Sequence, residues 1–350
     1  MARSVFSDCW TIGAIDGDMQ IAARAAHYFL GGDIVKAEPL NAGTANHHYW
    51  VEDLAGNDYV LRRRSLRYAD KAFAAYEAEY LACLAASGLP VPQLMAAPDG
   101  SLFCQLDGTL WQMSRRMSGS VYAGSVAHIQ EAGNFLARIH NAAASFMPVH
   151  ERMIMRFEAP DMLKNQFEQF RLSLSPASCH EKCFAWAECL IERLRETLSD
   201  TVCSKLPQLH IHGDYHSANL LFVHDTVSGL FDFDRSSLQA RLRDVVDGVI
   251  FFGSKRKSPI DDRDIMSLTQ GFRPDPASLH VFLQSYQDEV LIPLTSDEIK
   301  LLPDFIAARF LGMRLDGMAK LPEQMRHTML DQDIEEPLGW LNANGLAINI

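Results

Sequence analysis

The chain has 350 residues, 48% of them hydrophobic and 22% charged, which is enough for two domains that each bury a core. Its formal net charge of −12 and the lack of any long basic run argue against a nucleic-acid partner. No apolar run approaches the ~18 residues of a membrane span, so no membrane partner is expected.

Asp8, Asp16 and Asp18 interrupt the pattern of a secretory leader, and the seven cysteines are an odd number spread over a large chain. Reduced thiols and a cytoplasmic location are the expectation. Cys179 and Cys183 stand four apart on a predicted helix and could face one metal. No second Cys/His pair at zinc-like spacing follows them. Oligomeric state is not legible.

The first predicted element is an Ala-rich helix over Met19 to Leu30, stopped by Gly31 and Gly32. Three β-rich runs follow, Ile34 to Leu40, His48 to Asp53 and Tyr59 to Arg63. They are joined by the loop Asn41 to Asn46 and the turn Gly56-Asn57-Asp58, which makes an antiparallel meander. A helix over about Ala69 to Ala86 gathers Phe73, Tyr76, Tyr80, Leu81 and Leu84 on one side and stops at Gly88. Two strands, Ser101 to Leu106 and Thr109 to Ser114, flank the hairpin pair Asp107-Gly108.

From Ser125 the pattern turns helical: Val126 to Asn141, Pro160 to Leu174, Ala177 to Ser199, Asp244 to Phe252, Pro276 to Val290 and Ser296 to Met318. The single β interruption expected there is Leu220 to Val223 with Gly229 to Phe233. Strands followed by helices give an α+β class. Met117 to Ser120 reads as the linker, so the predicted domains are 1–118, β-rich with one helix, and 119–350, larger and mainly helical.

The stretch Leu209 to Asp234 carries the chemistry. His212, Asp214 and Asn219 have the spacing H-x-D-x-x-x-x-N, and Asp232 follows at the end of a strand after a hairpin. Phosphoryl transfer uses such residues: an Asp that accepts the attacking hydroxyl's proton, an Asn that binds magnesium, and a later Asp that holds magnesium against the phosphates. Each alone has a structural reading as a loop former, a turn residue or a braced imidazole. All four in order point to a site.

HGDYHSAN followed by FDFD resembles the aminoglycoside phosphotransferase and choline kinase superfamily, whose members share the protein-kinase-like two-lobe fold. The resemblance implies that 1–118 is an ATP-binding lobe and that 119–350 carries the catalytic loop and the acceptor site. It implies Asp214 as catalytic base with His212 supporting the loop, and Asn219 and Asp232 as ligands of Mg2+. For ATP it implies Gly43, Thr44 and Asn46 in the phosphate-covering loop, Arg62 in place of the kinase lysine, and Glu77 as that residue's ion-pair acid, with Glu79 on another face of the helix. A solvated helix-face carboxylate is the competing reading for both glutamates. His216 matches the pattern as a loop brace or a substrate contact. Asp244 matches the family's later Asp and would brace the catalytic loop. Asp234 is either a second acid near the metal or a surface acid.

The resulting expectation is an ATP-dependent phosphotransferase acting on a hydroxyl of a small metabolite: an amino alcohol, sugar, amino sugar or aminoglycoside-like acceptor. Two alternatives stand beside it. A protein kinase of the same fold lacks support, because Asp232 to Asp244 is short and contains no Ala-Pro-Glu. A catalytically inactive ATP-binding regulator is motivated by Arg62 and the glycine-poor loop.

Overall fold

The N-terminal β-rich region forms the antiparallel sheet that its β-rich runs and turn residues predict. The computed structural model describes residues 17–32, 34–40, 46–152, 156, 158–173, 181–261, 263–318, 320–322 and 325–326. Two compact units emerge, Met1–Lys71 with Gln93–Arg116, and Ala72–Pro92 with Met117–Ile350.

Unit 1 holds helix α1 (Gly17–Leu30) and strands β1 (Ile34–Leu40), β2 (His47–Asp53) and β3 (Asp58–Arg63). After the excursion of helix α2 (Lys71–Ala86) it adds β4 (Cys104–Leu106) and β5 (Thr109–Arg115). The sheet order is β1-β2-β3-β5-β4, antiparallel throughout. The helical spacing of Ala22, Ala25, Ala26 and Phe29 buries one face of α1 against Tyr49, Val51, Tyr59, Leu61 and Trp111 of the sheet. At the β2–β3 turn, the Asp53 carboxylate accepts from the backbone N–H of Ala55 and Asn57, 2.9 Å each, and so fixes the hairpin register.

The α2 segment groups with unit 2, whereas a single boundary after residue 118 would leave it with the strands. Within unit 2 its buried Tyr76 and Tyr80 reach far along the chain. The Tyr76 hydroxyl lies 2.8 Å from His210 Nδ1, and that of Tyr80 donates to the His210 carbonyl at 2.6 Å. Both rings pack on Phe146.

The rest of unit 2 runs β6 (Ser120–Val121), α3 (Val126–Ala143), α4 (Pro160–Leu172), α5 (Glu181–Thr197), α6 (Asp200–Cys203), β7 (Gln208–Ile211), β8 (Leu220–Val223), β9 (Thr226–Leu230), β10 (Ser237–Ala240) and α7 (Leu242–Phe251). It closes with β11 (Ser254–Arg256), α8 (Ile265–Leu268), β12 (Phe272–Pro274), α9 (Pro276–Glu289) and α10 (Ser296–Met318). Helix α10 packs on α4, α5 and α7, and α3 packs on α9. Among the described residues no helix is long and apolar enough to cross a membrane.

Two expectations need correction. The hairpin is not the single β interruption, since β7 pairs β10, β11 pairs β12 and β6 joins β8. These strands are two to four residues long, too short to show a period. The second strand of the hairpin is Thr226–Leu230, not Gly229 to Phe233. Asp232 lies beyond it in a left-handed conformation, φ 63°, and leads a 3-10 turn. The expectation for Cys179 and Cys183 falls outside what is described, at Cys179 and at the side chain of Cys183.

Candidate active site

The loop between β7 and β8 is held from beneath by one carboxylate. Asp244, fully buried in the first turn of α7, accepts the backbone N–H groups of His212 and Gly213, each at 2.7 Å. His140 Nε2 stands 3.4 Å from the same carboxylate, and its Nδ1 lies 2.8 Å from the Tyr286 hydroxyl. Burial would raise the Asp244 carboxyl, but the His140 contact and the backbone donors hold it below the ordinary carboxylate value. The expected brace is thus a buried anion under two amides.

Gly213 permits the turn. Its φ is +80°, and a Cβ there would press into the Arg235 carbonyl. Gly213→Ala should therefore lower the unfolding midpoint and the activity together; a variant matching the parent in both would remove this glycine from the argument.

His212 links the two halves of the stretch. Its Nδ1 accepts the Asp214 backbone N–H at 3.2 Å, which leaves Nε2 to donate to the Phe231 carbonyl at 2.8 Å. The Phe231 N–H in turn donates to the Asn219 carbonyl at 3.0 Å. These bonds bring His212, Asp214 and Asn219 together and seat Asp232, the next residue, at the same loop.

The Asp214 side chain keeps 20% of its surface open. Its Oδ1 accepts from Arg309 Nη2 at 2.9 Å, and its Oδ2 lies 3.8 Å from both Arg235 Nε and His216 Nε2. Burial would raise this carboxyl; Arg235, His216 and Arg309 outweigh it and hold it well below the usual carboxylate range. Asn219 Nδ2 donates to the Asp214 carbonyl at 3.0 Å and lies 3.2 Å from His216 Nε2. His216 is buried, and burial pushes its pKa down although Asp214 and Asp247 pull it up. Its contacts are those of a loop brace.

Behind Asp214 lies a buried ion network that sequence reasoning missed. Asp247 Oδ1 accepts from Arg309 Nε at 2.6 Å, while its Oδ2 accepts from Arg243 Nη1 at 2.5 Å and from the Tyr215 N–H at 3.1 Å. Arg243 also reaches Glu158 at 2.6 Å and the Gly213 carbonyl at 3.0 Å. Arg235 pairs with Asp316 at 2.6 Å. A usable signal existed: Arg243 and Asp247 are spaced i,i+4 on one helix, a spacing that pairs opposite charges.

The remaining candidates lie apart in the chain. In unit 1, Arg62 is buried on β3, in register with His48 of β2 and Gln112 of β5. Asn46 is buried and accepts the Ser65 N–H at 2.9 Å, while Gly43 and Thr44 lie outside the described residues. In unit 2, Glu77 is 2% exposed on α2, which excludes the solvated-face reading. Glu79 accepts from the Val149 N–H at 2.7 Å and contacts His150 Nδ1 at 2.5 Å. Asp234 is buried rather than a surface acid, and its carbonyl accepts from Arg152.

A family model described as the phosphotransferase enzyme family (APH) matches residues 36–281. A homoserine kinase of Granulibacter bethesdensis is 27% identical over 233 residues, covering 65% of this chain and 68% of that protein. A homoserine kinase of Paraburkholderia phytofirmans is 28% identical over 228 residues, covering 61% and 63%. The chain thus aligns with about two thirds of each relative's length. Among solved structures, an amicoumacin kinase in complex with AMP-PNP, Ca2+ and Ami has a TM-score of 0.63 at 16% identity, over 91% of this chain and 94% of that one. A choline kinase from Cryptosporidium parvum has a TM-score of 0.56 at 13% identity, over 95% and 99%. These likenesses show the fold, α+β and of the protein-kinase-like phosphotransferase type.

Proposed function

The chain belongs to the phosphotransferase enzyme family, and we propose that it moves the γ-phosphate of ATP to a hydroxyl of a small metabolite. The observation that carries this reading is the Asp214 carboxylate, part open, kept anionic by Arg235 and Arg309, and set on a loop locked by Asp244 and His212. So acidic a carboxylate is a weak base in the ground state. It would orient the acceptor hydroxyl and take its proton late, as the oxygen bonds to phosphorus and its own acidity rises.

The donor set around Asn219 and Asp232 fits magnesium. Asn219 commits its amide nitrogen to the Asp214 carbonyl, which leaves the amide oxygen as its ligand atom, and Asp232 adds a carboxylate. One amide oxygen with one carboxylate suits an ion that keeps several waters and takes one or two carboxylates. When bound, Mg2+ would offset the charge of the triphosphate oxygens. Arg62 and Glu77 are the residues we assign to the nucleotide side, along with the loop that ends at Asn46.

Purified protein would be screened for ATP consumption against homoserine, choline, amino sugars and aminoglycosides. Acceptor-dependent turnover that Asp214→Asn removes supports the reading, and no turnover with any of them would sink it. Asp232→Ala is expected to weaken magnesium-dependent ATP binding and turnover together. Calorimetry with and without Mg2+ checks this, and unchanged affinity would move the metal elsewhere.

A further inference from the structure

Around Asp214 the arginines Arg235, Arg243 and Arg309 each have carboxylate partners, drawn from Asp214, Asp247, Glu158 and Asp316. A ladder of aromatic rings leads away from this network to two more arginines. His216 packs on Phe251 at 5.2 Å, and the Arg256 guanidinium stands 4.3 Å over the same Phe251 ring. Arg256 also lies 5.9 Å over Phe272, its cross-strand partner between β11 and β12. Phe272 meets Phe310 edge-on at 5.5 Å, and Arg314 stacks 4.6 Å over Phe310.

Arg256 differs from the network arginines. Among the described residues its hydrogen bonds reach the carbonyls of Gln270 and Ile250, at 3.3 and 3.4 Å, and its Nε is buried without a partner. No carboxylate of the described residues lies within ion-pair distance of it. Burial, then the charges of Arg314 and Arg309, push its guanidinium down to about 9, whereas Arg241 and Arg243, beside their carboxylates, are shifted upward. A cation kept at such cost, on rings that begin at a neighbour of Asp214, suits a visiting anion.

We propose that Arg256, with Arg314 on the same run of rings, receives a carboxylate of the acceptor whose hydroxyl faces Asp214. The acceptor class is then a hydroxy acid or hydroxy amino acid, and this deepens the phosphotransferase reading on which it rests. The local charge runs opposite to the acidic balance of the whole chain, which alone would favour a cationic acceptor.

The test compares the full chain and Arg256→Gln on L-homoserine and on 3-aminopropan-1-ol, the same amino alcohol without the carboxylate. The parent should favour homoserine in kcat/KM by roughly 10–100-fold, the range expected for one charge-assisted fork. Arg256→Gln should erase most of that preference through KM for homoserine, and Arg256→Lys should recover part of it. Arg256→Gln should also unfold no earlier than the parent, because it removes a cation that no carboxylate offsets, and this separates recognition from a folding defect. Equal use of the two acceptors by the parent would overturn the proposal. So would an Arg256→Gln effect confined to KM for ATP, which would assign the cation to the nucleotide phosphates. If no acceptor consumes ATP, the phosphotransferase reading fails by itself. Calorimetry with L-homoserine and 4-hydroxybutyrate then decides: binding lost in Arg256→Gln supports the anion site, and no binding to the parent rejects it.

Discussion

Asp214→Asn is expected to lower kcat by roughly 10²–10⁴-fold, the span of a positioned acid–base group, while Mg-ATP still binds. The amide keeps the shape of the carboxylate and removes its proton affinity. The fold should tolerate the change, because Arg309 retains its 2.6 Å bond to Asp247 and Arg235 its 2.6 Å bond to Asp316. The parent's pH profile adds a check. A carboxyl held well below its usual value of about 4 stays ionised as pH falls through that value, so no acid limb near pH 4–5 should come from Asp214. Initial rates and nucleotide titrations on both proteins measure this. An Asp214→Asn enzyme with parental kcat would displace Asp214 from the chemistry.

Asp247→Ala should be the most damaging change to stability, at about 3–5 kcal/mol, the cost of breaking a buried ion pair from one side. It strips the shortest contacts from Arg243 and Arg309 and leaves the Tyr215 N–H without its acceptor. Activity should fall as well, since Arg309 is the group that holds Asp214 Oδ1. Asp247→Asn, which still accepts the Tyr215 N–H, should lose less. Denaturant unfolding of the three proteins tests the ranking, and an alanine variant within about 1 kcal/mol of the parent would mean that solvent or a rearranged partner already supports both arginines.

The sequence shows long apolar elements, their punctuation by turn residues, and contiguous motifs. Helix α10 was legible as Ser296 to Met318 through its length and its largely apolar composition, which the fold buries nearly all round, and β1 as Ile34 to Leu40 through the Gly31-Gly32 stop before it and the Asn41 loop after it. The His212, Asp214 and Asn219 loop was legible because its spacing lies within one turn of chain. The ion network was not, since Asp214 meets Arg309 across 95 positions and Arg309 meets Asp247 across 62. Such pairings depend on how α7 and α10 pack, which no local window contains. The β7–β10 pair escaped for the same reason, as each strand has four residues and its partner lies beyond the whole loop. Asp232 was misplaced at a strand end because a left-handed residue after the last ladder bond leaves no trace in hydrophobic alternation.

The grouping of α2 with unit 2 sets a timetable for synthesis. Unit 1 can close its sheet once Arg115 has left the ribosome, but Tyr76 and Tyr80 must wait for His210, 134 and 130 positions further on. At about 5–20 residues per second, that delay is on the order of ten seconds; Phe146 arrives part-way through it to meet both rings, but until His210 follows the two hydroxyls have no partner on β7. For that interval part of the aromatic face of α2 stays open on the nascent chain, and slowing translation before His210 should lengthen its exposure.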